Sequence, residues 1–368
     1  MVMNRREVLC AGGAVLLARL VSGLLGGVTA ARAEALNGSV PEVDRLALRV
    51  VIDSYQLAIA PNTTIGNVEV ERVGMLPAGR SLLGEFGLSL HARSYHHSET
   101  RNVLVDFGFT PEALNNNLLV LGLTPGDIDA LVLSHGHYDH FGGLVGFLKQ
   151  HHGQLRSGLP LYLGGEECFC TREWIIGIPQ DFGYLDRHAL AQAKLKVTFA
   201  ESPSLVADHA FTTGYIPNAS FEKVLSPTRM TVGVHDGIGC HPDQLPVEKR
   251  TAHIIPDDFQ HELATCFNVK ERGLVVLTSC SHRGVVNTVK RAMEVSGVNK
   301  VHAVAGGFHL APQPEDYVRE TVMALKEINP DYVIPMHCTG EKFIEIAQME
   351  MPDKFIRSYN GSQYTFGS

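Results

Sequence analysis

No cluster of lysines and arginines occurs anywhere in this chain of 368 residues, in which 31 basic side chains face 39 acidic ones for a net charge of −8. Phosphate backbones are gripped by clustered Lys and Arg, so a nucleic-acid surface is excluded. Low-complexity tracts and fixed-period repeats are missing too, and with 45% hydrophobic and 19% charged residues the composition is that of a globular chain with a sizeable core. A continuous apolar run of membrane-spanning length is also absent. Val8–Ala18 is cut short at Arg19, below the roughly 20 residues that a span needs. Tryptophan occurs once, as Trp174.

What is present begins with a leader. Arg5-Arg6 precede a mild, Gly- and Ala-rich apolar stretch, and Ala31-Arg32-Ala33 is a small-x-small cleavage pattern. The segment is similar to a twin-arginine export signal, with Glu7 where such signals often carry Phe. The expectation is a signal over residues 1–33 and a periplasmic or otherwise exported chain of one domain over 34–368, with no stable membrane insertion after cleavage. Such cleavage removes four arginines against one glutamate, taking the net charge from −8 to −11. Six cysteines then remain, which allow fifteen pairings in an environment that permits disulfides.

The densest chemistry lies at His135-Gly-His137-Tyr-Asp139-His140, three imidazoles and a carboxylate within six residues. The apolar run Ala130–Leu133 before it reads as a buried strand, and Leu144–Leu148 after it opens a helix. The cluster therefore sits at the C-terminal end of a strand, where loops of an α/β sheet converge on ligands. Neutral imidazole suits zinc, iron or manganese, and one Asp adds a harder oxygen for a second ion.

Along the chain, Leu46–Ile52 reads as a first strand, and 84–92 with 102–108 as a strand pair. Thr110-Pro111-Glu112 opens a helix to about Leu121. After the strand Leu159–Leu163, the stretch from Gly164 to about His188 reads as an irregular insertion that roofs the site around Trp174. The pairs His96-His97 and His151-His152 read as solvated loops. The last hundred residues then deliver a histidine at the end of each of three strands: His282 after Gly273–Thr278, His309 after Val301–Ala305, and His337 after Tyr332–Met336, with a helix after the first two. Parallel strands with crossover helices send these ends to one rim.

His-x-His-x-Asp-His, Asp106 at the end of a preceding strand, and the late strand-end histidines together resemble the metallo-β-lactamase-fold superfamily. Gly84–Leu90, Ser134–His140, Ser279–His282, Gly306–Leu310 and His337–Gly340 look most like its 7,8-dihydropterin-6-methyl-4-(β-D-ribofuranosyl)aminobenzene-5'-phosphate synthase branch. The resemblance implies an α/β fold, a four-layer αβ/βα sandwich, with two divalent metal ions at one edge, zinc first and iron or manganese as alternatives. It implies that His135 and His137 hold one ion, that Asp139, His140 and His337 hold the other, and that Asp106 orients the ligand loop from behind. No histidine stands near Thr213–Ile216, and Ser279-Cys280-Ser281 occupies the place of an expected bridging Asp, so His282 is taken as the substitute ligand. His309 is either a further ligand or the acid that protonates a leaving group. Arg283 is a candidate clamp for an anionic substrate group, and Cys280 and Cys338 are expected as small buried pocket residues.

The expected activity is hydrolysis of an ester, lactone or phosphoester in a small-molecule substrate, with Asp139 and His309 as the acting side chains. A pterin-type synthase is the alternative within enzymes, and a metal-binding protein without turnover the alternative outside them.

Overall fold

The computed structural model describes residues 30–32, 36, 38–57 and 59–367. The leader read over 1–33 lies outside the described residues except for 30–32. Two large sheets dominate. The ten-stranded sheet has at its centre Pro160–Leu163, Ala130–Val132, Glu99–Val105, Ser89–His96 and Arg45–Ile52 in that order, and the seven-stranded sheet is built on Thr265–Val269, Gly273–Thr278, Val301–Gly307 and Tyr332–Met336.

Alternation along these strands builds the layers. Val103 and Val105 of the first sheet and Val275, Leu277, Ala303, Ala305, Ile334 and Met336 of the second share one buried cluster between the sheets. Leu104 and Leu131 turn outward onto Leu114, Leu118, Leu144 and Phe147 of the helices Pro111–Val120 and Leu144–His151. Val304 and Val333 turn outward onto Val289, Val322 and Phe343 of Val285–Ser296, Glu315–Ile328 and Glu341–Glu350. Helices, sheet, sheet and helices make four layers, a consequence of the period of two along each strand. Each fully buried Val or Leu contributes roughly 1.5–3 kcal/mol of transfer free energy, so the inter-sheet layer dominates the stability.

Strand directions place the site. Glu99–Val105, Ala130–Val132 and Pro160–Leu163 run parallel, as do Gly273–Thr278, Val301–Gly307 and Tyr332–Met336. Arg45–Ile52 is antiparallel to Ser89–His96, itself antiparallel to Glu99–Val105, so Asp53 and Asp106 leave the sheet at the same edge.

The sequence reading is corrected at several points. The strand expected at 84–92 is Ser89–His96. Residues 84–87 are instead held as a loop in which a Cβ on Gly87 would lie 2.7 Å from the Asp139 carbonyl oxygen, and Glu85 accepts hydrogen bonds from the Phe109 and Thr110 amides. The third late strand is followed by a helix as well, Glu341–Glu350, which buries Phe343, Ile344, Ile346 and Ala347. The stretch read as irregular contains Thr171–Trp174, part of a separate four-stranded sheet with Thr228–Thr231 and Ile254–Pro256. His151 ends a helix and bonds Asn115 Oδ1. Among the described residues no helix is long and apolar enough to cross a membrane.

Candidate metal centre

Four residues at the shared edge hold left-handed backbone: Asp106 (φ 57°), Ser281 (φ 57°), His309 (φ 48°) and His337 (φ 50°). Each such non-glycine position costs on the order of 1–3 kcal/mol and persists where surrounding structure imposes it. Here the turn is what swings a side chain off the strand end into the space between the sheets. Glycine lets the elements close in. A Cβ on Gly136, between His135 and His137, would meet the Arg172 guanidinium at 2.4 Å, and one on Gly307 would lie 2.2 Å from the Ser279 carbonyl oxygen.

His135, His137 and His282 form a first group, with ring centroids 4.7 to 5.0 Å apart. Hydrogen bonds decide which nitrogen each presents. The Leu225 carbonyl can only accept, so His282 Nδ1 donates to it at 2.6 Å and Nε2 carries the lone pair. Ser134 Oγ donates to Asp106 Oδ2 and therefore accepts from His135 Nδ1, again freeing Nε2. Thr228 Oγ1 donates to Asp257 and accepts from His137 Nε2, which leaves Nδ1 free on that ring. Burial first, and then neighbouring positive groups, hold all three well below the usual histidine range: the other imidazoles around His135, Arg172 beside His137, His309 beside His282. These are neutral rings, the form that binds metal.

Asp139, His140 and His337 form a second group. Asp139 Oδ2 lies 3.2 Å from His337 Nε2 and 3.6 Å from His140 Nε2. Burial raises the Asp139 carboxyl, but His140 and His337 outweigh it and hold the group below its ordinary value. Asp106 accepts from His140 Nδ1 at 2.7 Å and from the Ser134 amide at 2.8 Å, as expected of a carboxylate that fixes the ligand loop. Asp53 does the same for the last strand by accepting from the His337 amide, and burial pushes its carboxyl up to about 6.

His309 is half-buried at the mouth, its ring 4.1 Å from that of His282. Arg283 is corrected from clamp to strut. It is buried, and its guanidinium donates to the Ile216 and Asp258 carbonyls, the Tyr215 hydroxyl and Asn218 Oδ1. Aromatic rings line the site: Phe259 stacks on His282 at 3.8 Å, Phe86 lies 5.1 Å from His337, and Phe182 lies 5.3 Å from His137 with Trp174 behind it. Asp53, Thr228, Asp257 and the three phenylalanines were missed in the sequence. Only Asp53 had a readable signal, since Val-Ile-Asp ends a buried strand as Leu-Val-Asp does at Asp106.

The buried atoms without a hydrogen-bond partner include His135 Nε2, His282 Nε2, His140 Nε2, His337 Nε2 and Asp139 Oδ1. A buried polar atom left unpaired costs about 1–3 kcal/mol, and these five gather at one place. A cation held here would give them a partner. His135 with His282, and His140 with His337, each lie with Cys280 Sγ in a group of ligand atoms within 4.8 Å of one another. Nitrogen, oxygen and sulfur donors of this kind suit zinc and other divalent transition metals.

Residues 95–157 match the Metallo-beta-lactamase superfamily model. A 7,8-dihydropterin-6-methyl-4-(beta-D-ribofuranosyl)-aminobenzene-5'-phosphate synthase from Methanocaldococcus jannaschii is 26% identical over 289 residues, 77% of this chain and 90% of that protein. An uncharacterized protein of the same organism is 25% identical over 264 residues, 71% of this chain and 87% of that one. Among solved structures, a metal-dependent hydrolase of the beta-lactamase superfamily superimposes with a TM-score of 0.62 at 22% identity, covering 86% of this chain and 98% of that one. With helices outside two facing sheets and the histidine motif at their edge, the chain has the metallo-β-lactamase fold.

Proposed function

We propose that the chain is an exported metal-dependent hydrolase acting on an ester, lactone or phosphoester bond of a small molecule. The observation that carries this reading is the convergence of buried, unpartnered nitrogens of His135, His282, His140 and His337 around Cys280, with Asp139 beside the last two. His135, His137 and His282 would hold one divalent ion, and Asp139, His140 and His337 the other, with zinc the first choice and iron or manganese compatible. When bound, such ions polarise the scissile bond's oxygen and acidify water from a pKa of ~15.7 toward ~7. The protein's own part follows from the geometry. Asp139 Oδ1, unpartnered, orients the attacking water, and the aromatic rim of Phe86, Phe182 and Phe259 keeps bulk water out. Water adds to the acyl carbon or phosphorus, the bond to the leaving oxygen breaks, and His309 at the mouth supplies that oxygen's proton.

Export is supported by the Cys170–Cys240 disulfide, since such bonds persist in oxidising compartments. The second reading, a pterin-type phosphate synthase, is favoured by the 26% identity to the archaeal synthase. A panel of ester, lactone and phosphodiester substrates beside the pterin-forming assay separates the two.

Metal analysis by plasma mass spectrometry of the purified protein is the first test. One to two equivalents of zinc, iron or manganese are expected, with a smaller content in Asp139→Ala and His337→Ala. A wild type that is metal-free and cannot be loaded would falsify the hydrolase reading and leave a binding scaffold. Full metal loading without turnover on any substrate would favour a protein that holds metal without catalysis.

A further inference from the structure

We propose that Cys280 gives its thiolate to both ion positions and is the bridging anion of the centre, an assignment that rests on the metal-centre reading above. Cys280 Sγ belongs to the group containing His135 and His282, to the group containing His140 and His337, and to a third with His309 and Cys338, and among the described residues no other side chain belongs to both of the first two. The sulfur thus stands between the two sets of donors, where a shared ligand must stand.

The backbone is built to put it there. Gly273–Thr278 ends two residues before Cys280, and Ser281 then takes φ 57°. Ser281 Oγ is tied to the Gly307 carbonyl at 2.9 Å and to Thr278 Oγ1 at 2.6 Å, which locks that turn. The absence of a side chain at Gly307 lets the neighbouring strand end approach Ser279 and Cys338. Cys280 is 3% exposed, and its polar contacts are Cys338 Sγ at 3.0 Å and His309 Nδ1 at 3.4 Å.

Charge points the same way. Two dications need anionic partners, and Asp139 is the one carboxylate in the second group. The other carboxylates nearby are engaged by other partners: Asp106 is held by Ser134 and His140, Asp257 by Arg172 and Thr228, and Glu262 by the amides of His282 and Arg283. A thiolate supplies the missing anion, and it is a ligand that zinc favours. On binding, the Cys280 S–H bond breaks, sulfur keeps the electron pair, and one proton leaves to solvent, as coordinated thiols do.

The test is cobalt substitution, read by the near-ultraviolet thiolate-to-cobalt charge-transfer absorption. It uses protein whose Cys280 and Cys338 have been verified as reduced thiols by mass spectrometry. Wild type loaded with two equivalents of cobalt should show the band, and Cys338→Ser should keep it. Cys280→Ser should lose it and bind its second equivalent more weakly by at least the ~10–100-fold that even outer partners of a metal site command. Cys280→Asp, which offers oxygen in place of sulfur, should retain two equivalents without the band and so controls for folding. The assignment is overturned if two ions bind to wild type with no band, if the band survives in Cys280→Ser, or if it is lost in Cys338→Ser alone. Failure to bind any cobalt overturns the metal-centre reading, and this assignment with it.

Discussion

Each imidazole of the centre has its presented nitrogen chosen by a partner behind it: a backbone carbonyl for His282, a Ser134–Asp106 relay for His135, a Thr228–Asp257 relay for His137, and Asp106 directly for His140. Charge elsewhere is handled in another way. Glu222 is buried beneath the N-terminus of Val285–Ser296, where its carboxylate accepts from the Asn287 amide, and burial pushes its carboxyl up from 4.5 to about 7. The folded chain therefore holds this proton longer than the unfolded chain does. The group's contribution is fully present below the unfolded value and is lost as the pH rises through the folded one. Glu222→Gln keeps an acceptor without that loss. It should gain on wild type by up to about 1.4 kcal/mol per pH unit within this window. Thermal unfolding of both proteins at about pH 5 and about pH 8 checks the sign. A melting-temperature difference that does not grow with pH would show that Glu222 does not titrate between the two states.

At the scale of elements, the parts that repeat were readable and the parts that reach in from elsewhere were not. Strands 45–52, 130–132, 273–278 and 332–336 are apolar runs bounded by turns, and each ends one to three residues before a residue of the site. That is why the 135–140 motif, His282 and His337, like Asp106 at the end of Glu99–Val105, could be placed on one edge from sequence. Thr228 and Asp257 could not. They belong to the small sheet Thr171–Trp174, Thr228–Thr231 and Ile254–Pro256 or its border, and they meet His137 only through pairing across gaps of 91 and 120 residues in number. Short strands with mixed side chains carry no periodic signal strong enough to reveal such pairing. The small sheet nonetheless acts on the centre. Thr228→Val removes the hydroxyl that fixes the His137 tautomer while preserving shape. We expect metal affinity to fall about 10–100-fold, measured by competition with a chromogenic chelator. Unchanged affinity would mean that His137 is positioned without this relay.

The whole molecule raises the question of where it matures, because twin-arginine export carries proteins already folded. The Cys170–Cys240 bond spans 70 residues of sequence and ties the segment after Glu166–Phe169 to the hairpin strand Ile238–Cys240, whereas Cys168, Cys266, Cys280 and Cys338 are free and buried. If the chain crosses folded, the two sheets and their inter-sheet core must already be stable while all these thiols are reduced, and the bond closes only on arrival. Closing a loop of this length adds about 2–4 kcal/mol, an increment to a fold that exists without it. Expressed in a bacterium with the pathway, the full chain should therefore appear in the periplasmic fraction with Glu34 as its first residue. On denaturation that form should expose four alkylatable thiols, those of the free cysteines. With Arg5→Lys and Arg6→Lys the chain should remain in the cytoplasm, folded and with Cys170 and Cys240 also alkylatable, less stable by about 2–4 kcal/mol. An uncleaved wild-type chain confined to the cytoplasm would sink the export proposal. A reduced form that cannot fold would instead rule out passage in the folded state and leave the ordinary secretory route, in which the bond and the metal centre are both completed outside.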